Sequence, residues 1–207
     1  MKIYQLRTIS NPQYAHINAQ MGQNIDNGGK LQVCWDNYLA KGNNISDWCY
    51  SSYLICVRHV AELLMDKFSG LSLAELEWRK NPIEECVKNV KRLKWLPKEP
   101  VDMVHIFSTK EVLPLKESTI EYGTSVINGR PCIQQIHGGA EWSLVTKSIT
   151  PRNMDMGLFI SEKDIVDSDF FRPANTPILL CKEYVKSELE QSGYKNLIFL
   201  EVGEIIS

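Results

Sequence analysis

The sequence lacks any long apolar run. Its most apolar stretch, Tyr53–Val57, ends at Arg58 and His59, whereas a membrane-spanning helix needs about 20 consecutive apolar residues. The first residues, Met1-Lys2-Ile3-Tyr4, suit the alternation of a strand and lack the continuous apolar core of a signal peptide. We therefore expect a cytoplasmic protein that does not enter a membrane.

An excess of basic charge is also missing. The 207 residues include 23 Lys and Arg against 25 Asp and Glu, for a formal net charge of -2. General binding to nucleic acid needs many cations to displace counterions from the phosphates, so we expect no nucleic-acid partner. The hydrophobic fraction of 43% and the charged fraction of 23% are those of a folded chain with a core. We predict one domain over residues 1–207, with a candidate subdivision near residues 97–100.

The common catalytic and metal-binding motifs are absent from the sequence. It has no Gly-rich phosphate loop and no Gly-x-Ser-x-Gly segment around a serine nucleophile. Cys56 and His59 have the Cys-x-x-His spacing of a zinc ligand pair, but a structural zinc site needs four ligands and no second pair occurs. We expect no metal, no cofactor and no catalytic residues.

The cysteines follow no regular spacing. In a chain large enough for its own core, and without a signal peptide, we expect buried free thiols rather than disulfides. An enzyme that used one of them would need a thiol of lowered pKa beside a histidine. A small thiol- or His-dependent hydrolase or transferase is therefore the alternative function. The six cysteines are Cys34, Cys49, Cys56, Cys86, Cys132 and Cys181.

The middle of the chain has the periodicity of helices. Apolar side chains recur at three- and four-residue steps from Leu54 to Phe68, which predicts one helix. Ser72-Leu73-Ala74-Glu75 fits a capping box and predicts a second helix. Asn81-Pro82, followed by an apolar stripe up to Leu93, predicts a third. Together these segments form a predicted central helical block.

Predicted strands dominate after Pro100. Asn128-Gly129 predicts a hairpin, and Gly138-Gly139 predicts a second one between residues 132–136 and 142–145. No internal repeat is evident. The predicted class is α+β: a central helical block packed with a mostly antiparallel sheet, and a C-terminal strand-helix-strand. Strands are predicted over 2–8, 101–107, 158–160, 177–181 and 197–202, and a helix over 182–192.

One segment near the C-terminus concentrates acidic side chains. Residues 161–170 contain Glu162, Asp164, Asp167 and Asp169. They lack the Gly and the terminal Glu of a calcium-binding loop. Three hypotheses stay open: a metal or acid/base site, a solvated connection, and a recognition surface that attracts a basic partner.

Three stretches carry a resemblance to a known family. They are residues 157–162 (Gly-Leu-Phe-Ile-Ser-Glu), residues 169–172 (Asp-Phe-Phe-Arg) and residues 178–199, where Ile-Leu-Leu-Cys-Lys-Glu precedes an amphipathic segment, Gly193 and a last strand. Together with Met1–Leu6 they resemble bacterial immunity proteins, which are encoded beside polymorphic toxins and neutralise them. The resemblance covers the first strand and the C-terminal quarter.

This resemblance implies a non-enzymatic protein that binds a cognate toxin, encoded by the adjacent gene, and blocks it by occlusion. We expect the toxin contacts at Glu162, Asp164, Asp167 and Asp169, with Arg172 nearby. Acidic side chains suit a basic toxin such as a nuclease. A structural role for residues 169–172 also stays open, because the aspartate can cap a turn and the arginine can pair with an acid.

Overall fold

The structure, a computed structural model, describes residues 1–19, 30–36, 42–79, 97, 101–127 and 130–207, without the side chains of 124–127 and 130–135. Within these residues there are sixteen strands and two α-helices, α1 (Arg58–Lys67) and α2 (Glu183–Gln191). The strands are β1 (Lys2–Thr8), β2 (His16–Ala19), β3 (Leu31–Asp36), β4 (Trp48–Cys49), β5 (Ile55–Val57), β6 (Ser72–Trp78), β7 (Met103–Phe107), β8 (Glu111–Val112), β9 (Glu121–Ile127), β10 (Arg130–His137), β11 (Glu141–Ser143), β12 (Ser148–Thr150), β13 (Leu158–Ser161), β14 (Phe170–Pro173), β15 (Leu180–Lys182) and β16 (Leu197–Ile206).

The predicted central helical block is wrong, because the fold is mostly sheet. The expected helix from Leu54 to Phe68 begins only at Arg58, and Ile55–Val57 form β5, which pairs with β4 and β7. The capping box at Ser72–Glu75 lies inside β6, where these four residues pair with β7 and the following residues Leu76–Trp78 pair with β3. Pairing with a neighbouring strand outweighs a local capping signal, since the ladder satisfies the backbone polar groups. The third expected helix lies outside the described residues.

Strands β2 to β7 form one six-stranded sheet, here called the N-terminal sheet, in the order β2-β3-β6-β7-β5-β4. β3 and β6 are parallel, and the other neighbours are antiparallel. The two edges of this sheet meet. The Ile17 amide in β2 donates to the Tyr50 carbonyl beside β4, and the Ala15 amide donates to the Asn44 carbonyl, both at 2.9 Å. The N-terminal sheet therefore curls round on itself.

The first strand joins the last ones in a second six-stranded sheet, here called the C-terminal sheet, ordered β13-β16-β1-β15-β14-β8. If it were flat, its edge strands would lie about 24 Å apart. Yet the Leu115 amide, just after β8, donates to the Phe159 carbonyl of β13 at 2.8 Å. The chain from Val112 to Leu115 reaches at most about 11 Å, so this sheet also curls into a nearly closed barrel. β1 comes before residues 97–100 in the sequence but belongs to the C-terminal sheet. A boundary at these residues would therefore not by itself separate the two sheets.

Two hairpins lie in the chain between β8 and β13. β9 and β10 pair antiparallel with Ile127 opposite Arg130, which confirms the hairpin predicted from Asn128-Gly129, although those two residues lie outside the described ones. The second predicted hairpin is wrong, because β11 pairs with β12 rather than with β10. The chain is redirected before β11, where the Ala140 amide donates to the Glu201 carbonyl of β16 at 2.7 Å.

Three hydrophobic clusters fill the fold. One fills the inside of the N-terminal sheet and one the inside of the C-terminal sheet. The third, here called the inter-sheet cluster, combines the outward-facing side chains of both sheets with the apolar faces of α1 and α2. Alternation along a strand allows this: Tyr4 and Leu6 of β1 enter the inter-sheet cluster, while Ile3 enters the C-terminal one. Both helices therefore pack between the sheets.

The predicted C-terminal strand, helix and strand are present as β15, α2 and β16. The helix ends at Gln191, and Gly193 follows with a φ of 69°, the left-handed conformation that glycine adopts without strain. The last strand is longer than predicted and reaches Ile206. Among the described residues, neither helix has the length and apolar character needed to cross a membrane.

Replacing Gly203 with alanine is expected to disrupt the C-terminal sheet. Gly203 lies between Ile3 of β1 and Leu158 of β13, and a β-carbon there would overlap the Leu158 backbone. We expect Gly203→Ala to lower the free energy of unfolding by more than about 3 kcal/mol in urea denaturation. The matched control is Gly193→Ala, where nothing lies within 4 Å of the added carbon and only the positive φ opposes it. That control should cost about 1 kcal/mol, and equal costs would contradict the close approach.

Candidate functional site

Three of the predicted contact residues lie together on one exposed segment. A 3-10 turn, Glu162–Ile165, follows β13 directly, and it presents Glu162 and Asp164 to solvent. Asp167 is exposed two residues further on. The segment is held in place because the Ile165 side chain is buried in the cluster inside the C-terminal sheet. Here this segment is called the acidic turn. It offers three carboxylates on a fixed support.

Asp169 is instead tied into the protein. Its Oδ2 accepts hydrogen bonds from the Ser69 amide at 2.8 Å and the Ser69 hydroxyl at 2.9 Å. Its Oδ1 accepts from the Tyr184 hydroxyl of α2 and lies 3.9 Å from Lys182 Nζ. Burial raises the pKa of the Asp169 carboxyl, but the hydrogen bonds from Tyr184 and Ser69 outweigh it and hold the pKa below its ordinary value. Asp169 therefore joins the end of α1 to the start of β14 and to α2.

Arg172 also has partners inside the protein. Its Nη2 lies 3.0 Å from Glu111 Oε1, across the parallel pair β14 and β8, and its Nη1 donates to the Thr176 carbonyl at 3.3 Å. Its side chain is only 15% exposed. The structure thus divides the five predicted residues: three face solvent, Asp169 joins the two helices to β14, and Arg172 links β14 to β8.

An ionic cluster around the buried Arg152, between β16, β1 and the segment before β13, was not predicted. The Arg152 side chain is 0% exposed, and its guanidinium contacts Glu201 at 3.1 Å and Glu204 at 2.5 Å. It also donates to the Met156 carbonyl. Lys2 Nζ lies 2.8 Å from the other carboxylate oxygen of Glu201. Glu201 therefore bridges two cations, Lys2 near the start of the sequence and Arg152 in the segment before β13.

A β-bulge explains how one arginine reaches both glutamates. Residues three apart on a regular strand point to opposite faces of the sheet. In β16, Gly203 pairs with Ile3 and Glu201 pairs with Tyr4, so one extra residue is inserted between the two pairs. The insertion brings Glu201 and Glu204 to the same face. Burial raises the pKa of Glu201, but hydrogen bonds from Lys2 and Arg152 outweigh it and lower that pKa overall. Only the close spacing of two acids in an apolar strand hinted at this cluster.

The hairpin β11–β12, residues 141–150, is here called the apolar arm. Leu144 and Val145 at its tip are 70% and 93% exposed, and Ile149 is also exposed. Met154, shortly after β12, is exposed as well. The base of the arm is fixed to β16, since the backbone of Ala140 bonds to Glu201. The arm therefore carries large apolar side chains away from the core on an anchored support.

Three of the four described cysteines are poor candidates for nucleophiles. Cys49, Cys56 and Cys181 are buried. Burial raises the pKa of Cys49 and of Cys56 to about 12 and raises the pKa of Cys181 as well. Cys56 and His59 are not brought together as a ligand pair, because the thiol is buried while the histidine is exposed on α1. In the part of the chain that the structure describes, no group of three or more His, Cys, Asp or Glu could hold a metal ion.

Two of the histidines are used structurally. His16 Nε2 lies 3.2 Å from the Asn11 carbonyl, and its ring packs edge-on against Tyr50. His105 Nδ1 lies 3.0 Å from the Leu54 carbonyl. Both rings are buried, so they stabilise the N-terminal sheet rather than face a substrate.

Comparison with known proteins adds no relative: no protein-family model matches the chain, and no curated protein matches it.

Asp169 is expected to stabilise the fold in a pH-dependent way. Its pKa is lowered on folding, so its contribution is complete above the unfolded pKa of about 3.9 and is lost as the pH falls through the folded-state value. We expect Asp169→Asn to cost about 1–3 kcal/mol near neutral pH and to flatten the loss of stability below about pH 4, measured by denaturation at several pH values. Asp164→Asn, on the exposed acidic turn, is the control and should change stability by less than about 0.5 kcal/mol.

The buried thiols are expected to react slowly. A thiol with a pKa of about 12 holds about a thousandfold less thiolate near neutral pH than an ordinary cysteine. We expect Cys49, Cys56 and Cys181 to be alkylated in the native protein only after unfolding, as followed by peptide mapping. Half-buried Cys34 is the internal comparison. Fast labelling at Cys56 would revive the hypothesis of a thiol-dependent enzyme.

Proposed function

We propose that this protein is a cytoplasmic immunity protein that binds a cognate toxin and neutralises it by occlusion, without catalysis of its own. The resemblance of residues 157–199 and of the first strand to such proteins supports the class. The observation that carries the proposal is the apolar arm, a fixed hairpin with exposed apolar side chains at its tip.

The apolar arm suits a protein-binding role on energetic grounds. Large apolar side chains that project from a folded chain mark interaction sites when they are clustered. Leu144 and Val145 stand together at the tip, and Ile149 follows in the returning strand. A two-stranded hairpin gains little stability by itself. A partner that covered the tip would remove this apolar surface from water and stabilise the hairpin at the same time.

The acidic turn contributes a different property. Glu162, Asp164 and Asp167 are exposed, so a basic partner can approach all three carboxylates. Exposed charges of one sign speed association and select complementary partners more than they add to final affinity. The proposed division is therefore an apolar arm that holds the toxin and an acidic turn that attracts it. Asp169 and Arg172 support the turn and β14 from inside.

The alternative, a small thiol- or His-dependent hydrolase or transferase, is disfavoured at three of the four described cysteines. Its candidate thiols at Cys49, Cys56 and Cys181 are buried and have raised pKa values, which is the opposite of what a nucleophile requires. We do not propose it further.

The direct test is co-expression with the product of the adjacent gene in a sensitive bacterium. We expect that product to stop growth, this chain to relieve the toxicity, and the two proteins to co-purify as a stable complex. Toxicity that this chain does not relieve, or a harmless neighbour, would overturn the proposal.

Variants then separate the two surfaces. We expect Leu144→Ser with Val145→Ser to weaken toxin binding about 10- to 100-fold, mainly through faster dissociation, because buried apolar anchors dominate interface energies. We expect Glu162→Gln with Asp164→Asn and Asp167→Asn to slow association and to flatten its dependence on salt. Both are measured by surface-based kinetics at several salt concentrations.

The matched control lies on the solvent face of α1. Leu63→Ser with Glu62→Gln and Asp66→Asn removes one exposed apolar and two exposed acidic side chains without touching either proposed surface. Its kinetics should equal those of the parent. Unchanged kinetics in the arm and acidic-turn variants would remove these surfaces from the account, even if the complex itself forms.

A further inference from the structure

The N-terminal and C-terminal sheets share one topology. The order β3-β6-β7-β5-β4 contains a parallel pair, β3 with β6, followed by three antiparallel pairs. The order β13-β16-β1-β15-β14 contains a parallel pair, β13 with β16, followed by three antiparallel pairs. α1 directly follows β5, and α2 directly follows β15. The strands at which each sheet closes on itself also correspond. β8 pairs in parallel with β14, and His16 of β2 forms a parallel bridge with Tyr50, which follows β4.

The strand registers agree residue by residue. Beyond the ladders, the Ile106 amide donates to the Leu54 carbonyl at 2.9 Å, and the Leu6 amide donates to the Leu179 carbonyl at 3.1 Å. These two bonds occupy the same place in the two sheets. The matched cross-strand pairs are Ile55–His105 with Leu180–Gln5, Cys56–Val104 with Cys181–Tyr4, and Val57–Met103 with Lys182–Ile3.

Short sequence matches occur at the corresponding positions. Ser46-Asp47-Trp48 leads into β4, and Ser168-Asp169-Phe170 leads into β14. Each strand followed by a helix also has a cysteine in the strand, a valine four residues later and a leucine eight residues later. All of them are buried in the inter-sheet cluster. Because only these few core positions agree, no repeat is evident from the sequence alone. The matched residues are Cys56, Val60 and Leu64 in the first set and Cys181, Val185 and Leu189 in the second.

The two sets of elements contact each other reciprocally. Phe68, after α1, packs edge-on against Phe170 with 5.8 Å between ring centroids. Tyr194, after α2, packs edge-on against Trp48 with 6.4 Å between centroids. In each case, an aromatic residue that follows the helix of one unit contacts the aromatic residue of the Ser-Asp-aromatic segment in the other unit. A two-fold axis through the inter-sheet cluster produces reciprocal contacts of this kind.

We infer that the chain is an internal duplication of one strand-and-helix unit, with the two units related by a pseudo-two-fold axis. The first unit comprises β2 to β7 with α1, and the second comprises β8, β13 to β16, α2 and β1. In the second unit β1 fills the place that β7 fills in the first. The last strand of the second unit therefore comes from the opposite end of the sequence. β1 can fill this place because the first and last residues of the chain are adjacent: the Ile205 amide donates to the Met1 carbonyl at 2.7 Å.

The duplication also identifies what has been added. Residues 20–30 separate β2 from β3 in the first unit, whereas residues 113–157 separate β8 from β13 in the second. The apolar arm lies within this longer connection. The repeated fold does not require a connection of this length, since a much shorter segment separates the corresponding strands of the first unit. This assignment stands independently of the proposed toxin binding.

Two circular permutants test the duplication. Both join Ser207 to Met1 through a short Gly-Ser linker. The first opens the chain between Ser10 and Asn11, which places the two units in tandem. The second opens it between β6 and β7, which gives the first unit the same break that the natural ends make in the second. We expect both to keep cooperative unfolding and a near-UV circular dichroism spectrum like the parent. If the first permutant folds and the second does not, only the adjacency of the natural ends matters, and the equivalence of the two units is overturned. Failure of both permutants would overturn it as well.

Paired substitutions in the full chain give a second readout. Leu64 and Leu189 occupy matching places in the inter-sheet cluster, so Leu64→Ala and Leu189→Ala should lower the melting temperature by similar amounts, about 5–15 °C each. Leu63→Ala, on the exposed face of α1, is the control and should leave it almost unchanged. A loss at one leucine more than about twice that at the other would contradict equivalent positions.

Discussion

The burial of two amphipathic helices between two curled sheets is the constraint on which the rest of the structure depends. Each sheet fills its own interior with alternate side chains, so the remaining outward-facing apolar residues need cover. Val60 and Leu64 of α1 and Val185 and Leu189 of α2 supply it within one shared cluster. The strands that meet this cluster must then be buried on both faces. β1 is such a strand, and its central position explains why the first residues of the chain are tied so firmly to the last.

Local signals predicted individual elements better than their arrangement. The hairpin pairing of β9 with β10 and the amphipathic helix α2 depend on nearby residues, and both are present. The first apolar residues of the helix expected from residue 54 belong to β5 instead. A strand that is buried on both faces is apolar throughout, so its residues can be read as part of the apolar face of a helix. Ser72–Glu75 carries a genuine capping pattern, yet these residues pair with β7, about 30 residues further along the chain. Long-range pairing of this kind leaves no periodic trace in one sequence.

The candidate site shows the same limit. The exposed acids Glu162, Asp164 and Asp167 are visible in sequence because polar runs between strands are usually solvated. The ionic cluster around Arg152 is not visible, since Lys2 and Glu201 come from opposite ends of the chain and the bulge in β16 changes which acids share a face. Sequence reasoning also could not divide the acidic stretch into carboxylates that face solvent and one, Asp169, that holds α1, α2 and β14 together.

The internal duplication changes how the resemblance to immunity proteins should be weighed. Its most distinctive segment, Asp169–Arg172, has a counterpart at Asp47–Tyr50 in the first unit, where the same backbone bond recurs: Val57 donates to Asp47, and Lys182 donates to Asp169. A feature that both units need for folding reports the fold rather than a partner. Specificity for a partner must then come from surfaces that the units do not share. The apolar arm lies between β8 and β13, where the two units differ most in the length of the connection, and there the proposed binding function is best sought.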